Sequence, residues 1–366
     1  MSIRPKKIVL MLISLFLALL LIGFMVFSSF YNTSLSFKKD DILHVEKGAS
    51  LNDIIKNLET NFNFDSGLKL KILMEVLSST NEIKPGNHPL GEIRSIKDLI
   101  EELKLPAPQI KITLLEGWRV SEIAAYLNET MESIDFDKFI DLSQNPDFIE
   151  NKLSNHLGFS ISNLEGYLYP ETYYVDPHLT EKDLIELFVV EFIEETKDYK
   201  NKITKETMIL ASIIEAETNL VDEMRDISSV YNNRVKKGMK LDSDPTILYY
   251  MTDEDLKIYK NLPYPKSLKI FYKYKYDGDV CPQLLNDPPY KRKDIENCPL
   301  RDHPYNTYNP KYKIPPGPIN SPGIDAIKAA IKPSKTNYLY MVMNNALGRH
   351  LFSPDIKGHN QNKKKN

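Results

Sequence analysis

The run Thr207-Met208-Ile209-Leu210-Ala211-Ser212-Ile213-Ile214-Glu215-Ala216-Glu217-Thr218 is apolar in almost every direction around a 3.6-residue helix as far as Ile214. Such a segment predicts a buried helix at the heart of a domain, because a surface helix would keep a polar face. A carboxylate directly after two isoleucines is costly there. Desolvation disfavours its charged form and raises its pKa, which is what a general acid near neutral pH requires. Glu215 stacks over Ala211 and Ser212, small residues that leave room for a ligand beside the carboxyl. Glu217 falls about 200° further round the helix and is expected on a different face. The competing reading is a buried ion pair between Glu215 and Arg225 or Arg234 of the next helix, since a perturbed carboxylate marks a site only statistically.

Outward from this helix, predicted as Lys205–Asn219, the pattern continues as a second helix over Asp222–Lys237. Asp222 is its expected N-cap and Gly238 its C′ residue, with Met224, Ile227, Val230, Tyr231 and Val235 along one stripe. Asn232 and Arg234 fall at the polar edge, where either would donate to a sugar or a carboxylate, or simply pack. In Asp242-Ser243-Asp244-Pro245 two carboxylates are too few for a divalent cation, and Asp244 reads as the cap of a turn or of the next helix. Ten prolines between Pro282 and Pro322 predict ordered loops on a scaffold. Among them, the tyrosines of Tyr305-Asn306-Thr307-Tyr308 offer flat faces for pyranose rings, and Asn306 offers a donor and an acceptor for an N-acetyl group. Beside a buried acid, that loop describes a carbohydrate cleft. A further helix is predicted over Glu181–Glu195.

The N-terminus is read independently. Arg4, Lys6 and Lys7 precede an uncharged run from Ile8 to Phe30, long enough to cross a bilayer as a helix. A cleaved signal peptide would have a shorter core and a small-x-small site, and Phe27-Ser28-Ser29-Phe30-Tyr31 is a poor one. The positive-inside rule leaves residues 1–7 as a cytoplasmic tail, 8–30 as the span and 31–40 as a polar stalk outside. Residues 41–104 then read strand–helix–helix–strand. Ile42–Val45 alternates, Ser50 and Ser95 are N-caps, Leu68–Leu77 is an apolar helix and Pro85-Gly86-Asn87 is a turn. After the linker at 105–108, a strand through Ile110 and Ile112 turns at Glu116-Gly117-Trp118 into a helix from Ser121.

The 366 residues suit two modules, and a net charge of −3 with dispersed basic residues excludes a dedicated nucleic-acid binder. Lys363-Lys364-Lys365 reads as a solvated end. Cys281 and Cys298, the only cysteines, are either a disulfide or two thiols; zinc lacks the ligand spacing.

In their order, several blocks resemble the endolytic murein transglycosylase (YceG-like) family. They are Glu116-Gly117-Trp118, Leu164-Glu165-Gly166-Tyr167-Leu168-Tyr169-Pro170-Glu171-Thr172-Tyr173, the Ala211–Thr218 run, Tyr231-Asn232-Asn233-Arg234, Gly238–Thr246, Tyr305–Tyr308, Pro315–Ile319 and Gly348–Ser353. The resemblance implies an α+β fold with a LysM-like module at 41–104 and a catalytic domain at 105–362, with an insertion at about 251–302. It implies Glu215 as the catalytic glutamate. Asn306, Tyr305 and Tyr308 are then expected to position the substrate, with Glu165 and Asn232 as further candidates. No metal and no cofactor are implied. The implied setting is the bacterial cytoplasmic membrane, crossed once, with the domain outside. Peptidoglycan glycan strands are the implied substrate, cut at the MurNAc–GlcNAc β-1,4 bond to leave 1,6-anhydro ends and limit strand length, and a wall-synthesis synthase is a candidate partner. A muramidase and a non-catalytic glycan-binding scaffold are the alternatives. Three features depart from the family: the long 251–302 segment with both cysteines, His303 ahead of Tyr305, and an end soon after Asn360 without the usual terminal helix.

Overall fold

The computed structural model describes residues 5–263, 266–277 and 298–365. The chain divides into two compact units, residues 1–111 with 174–178 and residues 112–173 with 179–366.

In the first unit α1 (Pro5–Tyr31) is followed by β1 (Ile42–Val45), α2 (Leu51–Asn61), α3 (Gly67–Val76), β2 (Gly86–Pro89) and α4 (Ile96–Lys104). The stretch Met11–Tyr31 of α1, with a mean hydropathy of 2.7, is long and apolar enough to cross a membrane. Ser50 caps α2 in a capping box with Asp53, and Ser95 caps α4 by accepting from the Asp98 N–H at 3.2 Å. Strands β1 and β2 pair antiparallel from Ile42↔Pro89 to Val45↔Gly86, so Gly86 and Asn87 of the expected turn are already strand. The core joins Leu43 and Val45 to Ile54, Leu58, Leu70, Leu73, Ile96, Leu99 and Leu103. The segment 31–40, expected as a stalk, packs in part along its own unit. Leu35 N–H donates to Arg94 O at 2.8 Å, Ile96 N–H donates to Thr33 O at 3.1 Å, and Phe27, Phe30, Tyr31, Leu35 and Phe37 pack on the core.

Strands β3 (Ile110–Thr113) and β4 (Thr172–Val175) pair as a two-stranded sheet. The second unit holds α5 (Val120–Thr130), α6 (Phe136–Gln144), α7 (Asp147–Leu157), α8 (Glu181–Glu195), a 3-10 turn at Lys197–Lys202, α9 (Lys205–Glu217) and α10 (Val221–Lys236). Next come α11 (Asp244–Tyr249), α12 (Asp253–Asn261), α13 (Leu268–Lys275), α14 (Ile324–Ile331), the hairpin β5 (Tyr340–Asn344) and β6 (Arg349–Ser353), and α15 (Ile356–Lys363). Helix α9 is central: residues Met208–Glu215 are all buried, and α10 and α14 pack against it. Its apolar girth therefore has the predicted cause, enclosure on several sides.

Helix α10 starts one residue before the expected cap. Leu220 occupies the N-cap, and Asp222 instead pairs with Arg349 at 2.7 Å, which ties β6 to the start of α10. The basic end, Lys363 to Lys365, is exposed as expected. A short terminal helix, α15, forms, and Asn344 Nδ2 donates to Lys365 O at 3.1 Å. Cys298 is buried and disulfide-bonded; Cys281 lies outside the described residues.

Candidate active site at the end of the central helix

The last turn of α9 carries two carboxylates to different surroundings. Glu215 Oε2 accepts from Gly323 N–H at 3.0 Å, at the N-terminus of α14, where the helix dipole favours an anion. Burial nevertheless pushes its carboxyl up to about 7, with Glu116 and Asp325 adding like-charge pressure and the Gly323 N–H opposing. Neither ion pair of the competing reading is made: Arg225 Nε donates to Lys332 O, and Arg234 Nε donates to Leu339 O. Nor is the space beside Ser212 kept for a ligand. The proline-rich segment fills it, with Ile319 N–H donating to Ser212 Oγ at 3.0 Å and Asn320 Nδ2 to Ser212 O at 2.9 Å. Gly166, at φ +88°, allows the same segment to close in, since a Cβ there would stand 2.5 Å from Pro318 Cβ.

Glu217 faces another way. It accepts from the Tyr231 hydroxyl at 2.5 Å and from Ser243 Oγ at 2.9 Å. Burial raises its pKa; Asp244 adds to the rise, and the two hydroxyl bonds work against it. It lines a cleft of about 590 Å³ together with Tyr231, Arg234, Asp242, Asp244, Tyr308, Tyr340, His350 and His359. Arg234 fixes two walls of that cleft by donating to Leu339 O of the segment entering β5 and to Leu241 O. Opposite, the Tyr308 hydroxyl donates to the Asp244 carboxylate, and Lys275 Nζ stands 3.4 Å from the Tyr308 ring centroid. Burial lowers Lys275 to about 8. A raised carboxyl, a tyrosine-lined wall and fixed cations can protonate a glycosidic oxygen and hold the sugars on either side.

The residues expected around the acid are dispersed. Tyr308 alone joins Glu217. Tyr305 lines a separate cleft of about 400 Å³ with Phe159, Asn163 and Pro316, its ring 4.5 Å from that of Tyr249. Asn306 is fully buried. Its amide donates to Lys275 O and Arg301 O, each at 3.0 Å, and its carbonyl accepts from Tyr308 N–H at 3.2 Å. Both ends of the side chain are thus spent on shaping the loop, so the expected contact with an N-acetyl group is corrected to a structural staple. Asn232 Nδ2 donates back to Ser228 O of its own helix at 2.9 Å. Glu165, buried and pushed up to about 7 by desolvation, accepts from Val120 N–H at 3.1 Å and Tyr249 OH at 3.4 Å, and lines a third cleft of about 380 Å³. That makes it the outside cap of α5, which begins at Val120 and not at Ser121.

Glu217 is the residue that the helical-wheel argument passed over. The signal for it lies in the neighbouring segments: Tyr231, Arg234, Asp242 and Asp244 form a polar series too dense for a plain helix end and turn. Among the described residues, no three His, Cys, Asp or Glu side chains group as a metal site.

A model of the YceG-like family matches residues 43–365. A Bacillus subtilis (strain 168) protein named endolytic murein transglycosylase is 26% identical over 344 residues, covering 83% of this chain and 84% of that protein. A protein of the same name from Streptococcus pneumoniae serotype 2 (strain D39 / NCTC 7466) is 24% identical over 352 residues, 89% of this chain and 58% of that longer protein. A crystal structure of a YceG-like protein from Listeria monocytogenes aligns with a TM-score of 0.49 at 25% identity, covering 88% of this chain and 99% of that one. With a match that leaves out only residues 1–42 and 366, the chain belongs to the YceG-like family.

Proposed function

We propose that this chain is a membrane-anchored endolytic peptidoglycan transglycosylase that cuts the β-1,4 bond between MurNAc and GlcNAc and leaves 1,6-anhydro ends. The observation that carries the reading is the raised carboxyl at the end of α9 in a tyrosine-lined cleft, within a chain whose relatives are named for that activity.

In this reading one acid suffices. It gives its proton to the leaving glycosidic oxygen as an oxocarbenium-like state develops at C1. As carboxylate it then takes the proton of the muramyl C6 hydroxyl, which attacks C1 within the same sugar. The cleft favours Glu217 for this role over Glu215, the residue expected from the sequence, because Glu217 opens on Tyr308 and Arg234 while Glu215 is engaged with the backbone of Gly323. Burial raises its pKa and so favours the protonated form; Tyr231 and Ser243 aim the carboxyl.

One observation favours a second reading. Asp244 lies in the same cleft, and paired carboxylates can direct a water onto C1 to give a muramidase. Mass spectrometry of glycan strands treated with the full chain separates the readings. Internal 1,6-anhydro ends that disappear in Glu217→Gln support transglycosylation; reducing ends support hydrolysis; intact strands with the unaltered chain support a glycan-binding scaffold.

The N-terminal helix supports a single-pass anchor in the cytoplasmic membrane, with the chain after the span outside it; in this reading residues 41–104 are a LysM-like module. Anchoring would bring the cleft to nascent strands and so limit their length. A version with the span replaced by a soluble tag should lose that control, and unchanged strand lengths in cells would count against it.

A further inference from the structure

We infer that α3 of the first unit seats an apolar stripe in the headgroup boundary of the bilayer that α1 crosses, so that the unit rests on the membrane surface. The inference depends on α1 being an anchor and extends that reading to a second contact.

Helix α3 buries one side, through Leu70, Leu73 and Met74, in the core of its unit. Its other side is unusual. Leu68, Ile72 and Val76, spaced four residues apart on one face, are 73%, 39% and 64% exposed. A water-facing helix would place polar side chains there. The position of the stripe says what covers it. Helix α3 packs against α1, and Lys69 joins the two: its Nζ lies 6.0 Å from the Phe30 ring centroid and donates to Thr33 Oγ1 at 3.4 Å. The last turns of α1, through Phe27, Phe30 and Tyr31, pack on the same core cluster as α3. A helix beside the end of a span lies at the depth where hydrocarbon gives way to headgroups. Aromatic residues are favoured at that level.

The backbone pairing of Thr33 and Leu35 with residues 94–96 leaves no slack that would lift the unit away. Lys69 and Lys71 precede and follow the stripe's residues in sequence, as the cationic border of an interfacial helix does; Lys69 Nζ is held by Thr33 Oγ1 and Lys71 Nζ donates to Asn52 Oδ1 at 3.1 Å. Glu75 is exposed on the final turn, which sets the stripe at headgroup depth and not in the acyl core.

The test uses the full chain in vesicles made with brominated acyl chains, and reads the tryptophan emission that each variant adds to that of Trp118. Ile72→Trp is compared with Phe24→Trp inside the span and with Leu347→Trp in the β5–β6 turn of the second unit; Leu68→Trp repeats the first at a more exposed position. Quenching of Phe24→Trp, Ile72→Trp and Leu68→Trp with Leu347→Trp unaffected is the expected result. Quenching of Phe24→Trp alone overturns the α3 contact and leaves the anchor standing. A blue shift at position 72 without bromine quenching means that protein covers the stripe, and also overturns it. If Phe24→Trp is not quenched, the anchor reading fails and the α3 contact fails with it.

Discussion

The Tyr231 hydroxyl donates to Glu217 across 2.5 Å, joining the middle of α10 to the last turn of α9. Glutamine at 217 keeps the shape and accepts the same bond, yet has no proton to transfer. Loss of a general acid costs about 10²–10⁴-fold in rate, so Glu217→Gln should lose at least that much strand cleavage while keeping its fold. Glu215→Gln should stay within about tenfold of the parent, the cost of a small shift in the backbone it braces. Measured rates of anhydro-end formation decide, and the reverse ranking returns the acid to Glu215.

Tyr231 also adjusts the acid. Its hydrogen bond favours the charged form of Glu217 and so opposes the rise that burial causes. A general acid works only while protonated, so activity falls as pH climbs through its pKa. In Tyr231→Phe that alkaline limb should move to higher pH, because a bond to the carboxylate is gone. A kcat/KM profile against pH for both proteins tests this, and a limb that moves down or stays would remove Glu217 from the acid's role.

Much of this arrangement was legible in the sequence where the cause is local. The caps at Ser50 and Ser95, the limits of α8, and Gly238 after α10 at φ +67° follow from side chains within a turn of the residues they control. The burial of α9 followed as well, since only enclosure tolerates so many isoleucines. Which of its two carboxylates faces the cleft did not follow. The wheel gives an angle, whereas the cleft is made by Tyr308 and His350, about ninety or more residues along the chain. Asn306 shows the same limit: its chemistry was read correctly as donor and acceptor, but its partners are backbone carbonyls from α13 and the loop at 301. Residues 31–40 looked polar enough for a stalk. Leu35 and Phe37 in fact turn inward, and the segment pairs with a stretch some sixty residues later.

Glu215 should reveal itself in stability. Its folded pKa of about 7 lies above the ordinary value of 4.5, so the folded state holds a proton that the unfolded chain releases. The resulting stabilisation is present below pH 4.5 and is lost as pH rises towards 7, an effect of up to about 3 kcal/mol. Glu215→Gln lacks this dependence. Its Tm relative to the parent should therefore increase between pH 5 and pH 8, as read by thermal unfolding in matched buffers. A constant difference would mean that the carboxyl titrates in its ordinary range.

Lys275 ties the 251–302 segment to the cleft. It ends α13 with its ammonium 3.4 Å from the Tyr308 ring centroid, while its backbone carbonyl accepts from Asn306. Burial lowers it to about 8, against the pull of Asp244 and Asp242 and with the help of Lys240. Below that pH the ammonium is charged and holds the ring; above it the attraction fades. A cation over an aromatic face contributes about 0.5–2 kcal/mol, or roughly twofold to thirtyfold. Lys275→Met retains the packing of the aliphatic stem and removes the charge, so kcat/KM at pH 7 should drop by that factor. The variant should also lose the part of the decline between pH 7 and pH 9 that belongs to this lysine, while Lys275→Arg restores activity at pH 7. If Lys275→Met matched the parent at both pH values, the segment would support the loop through its backbone bonds alone.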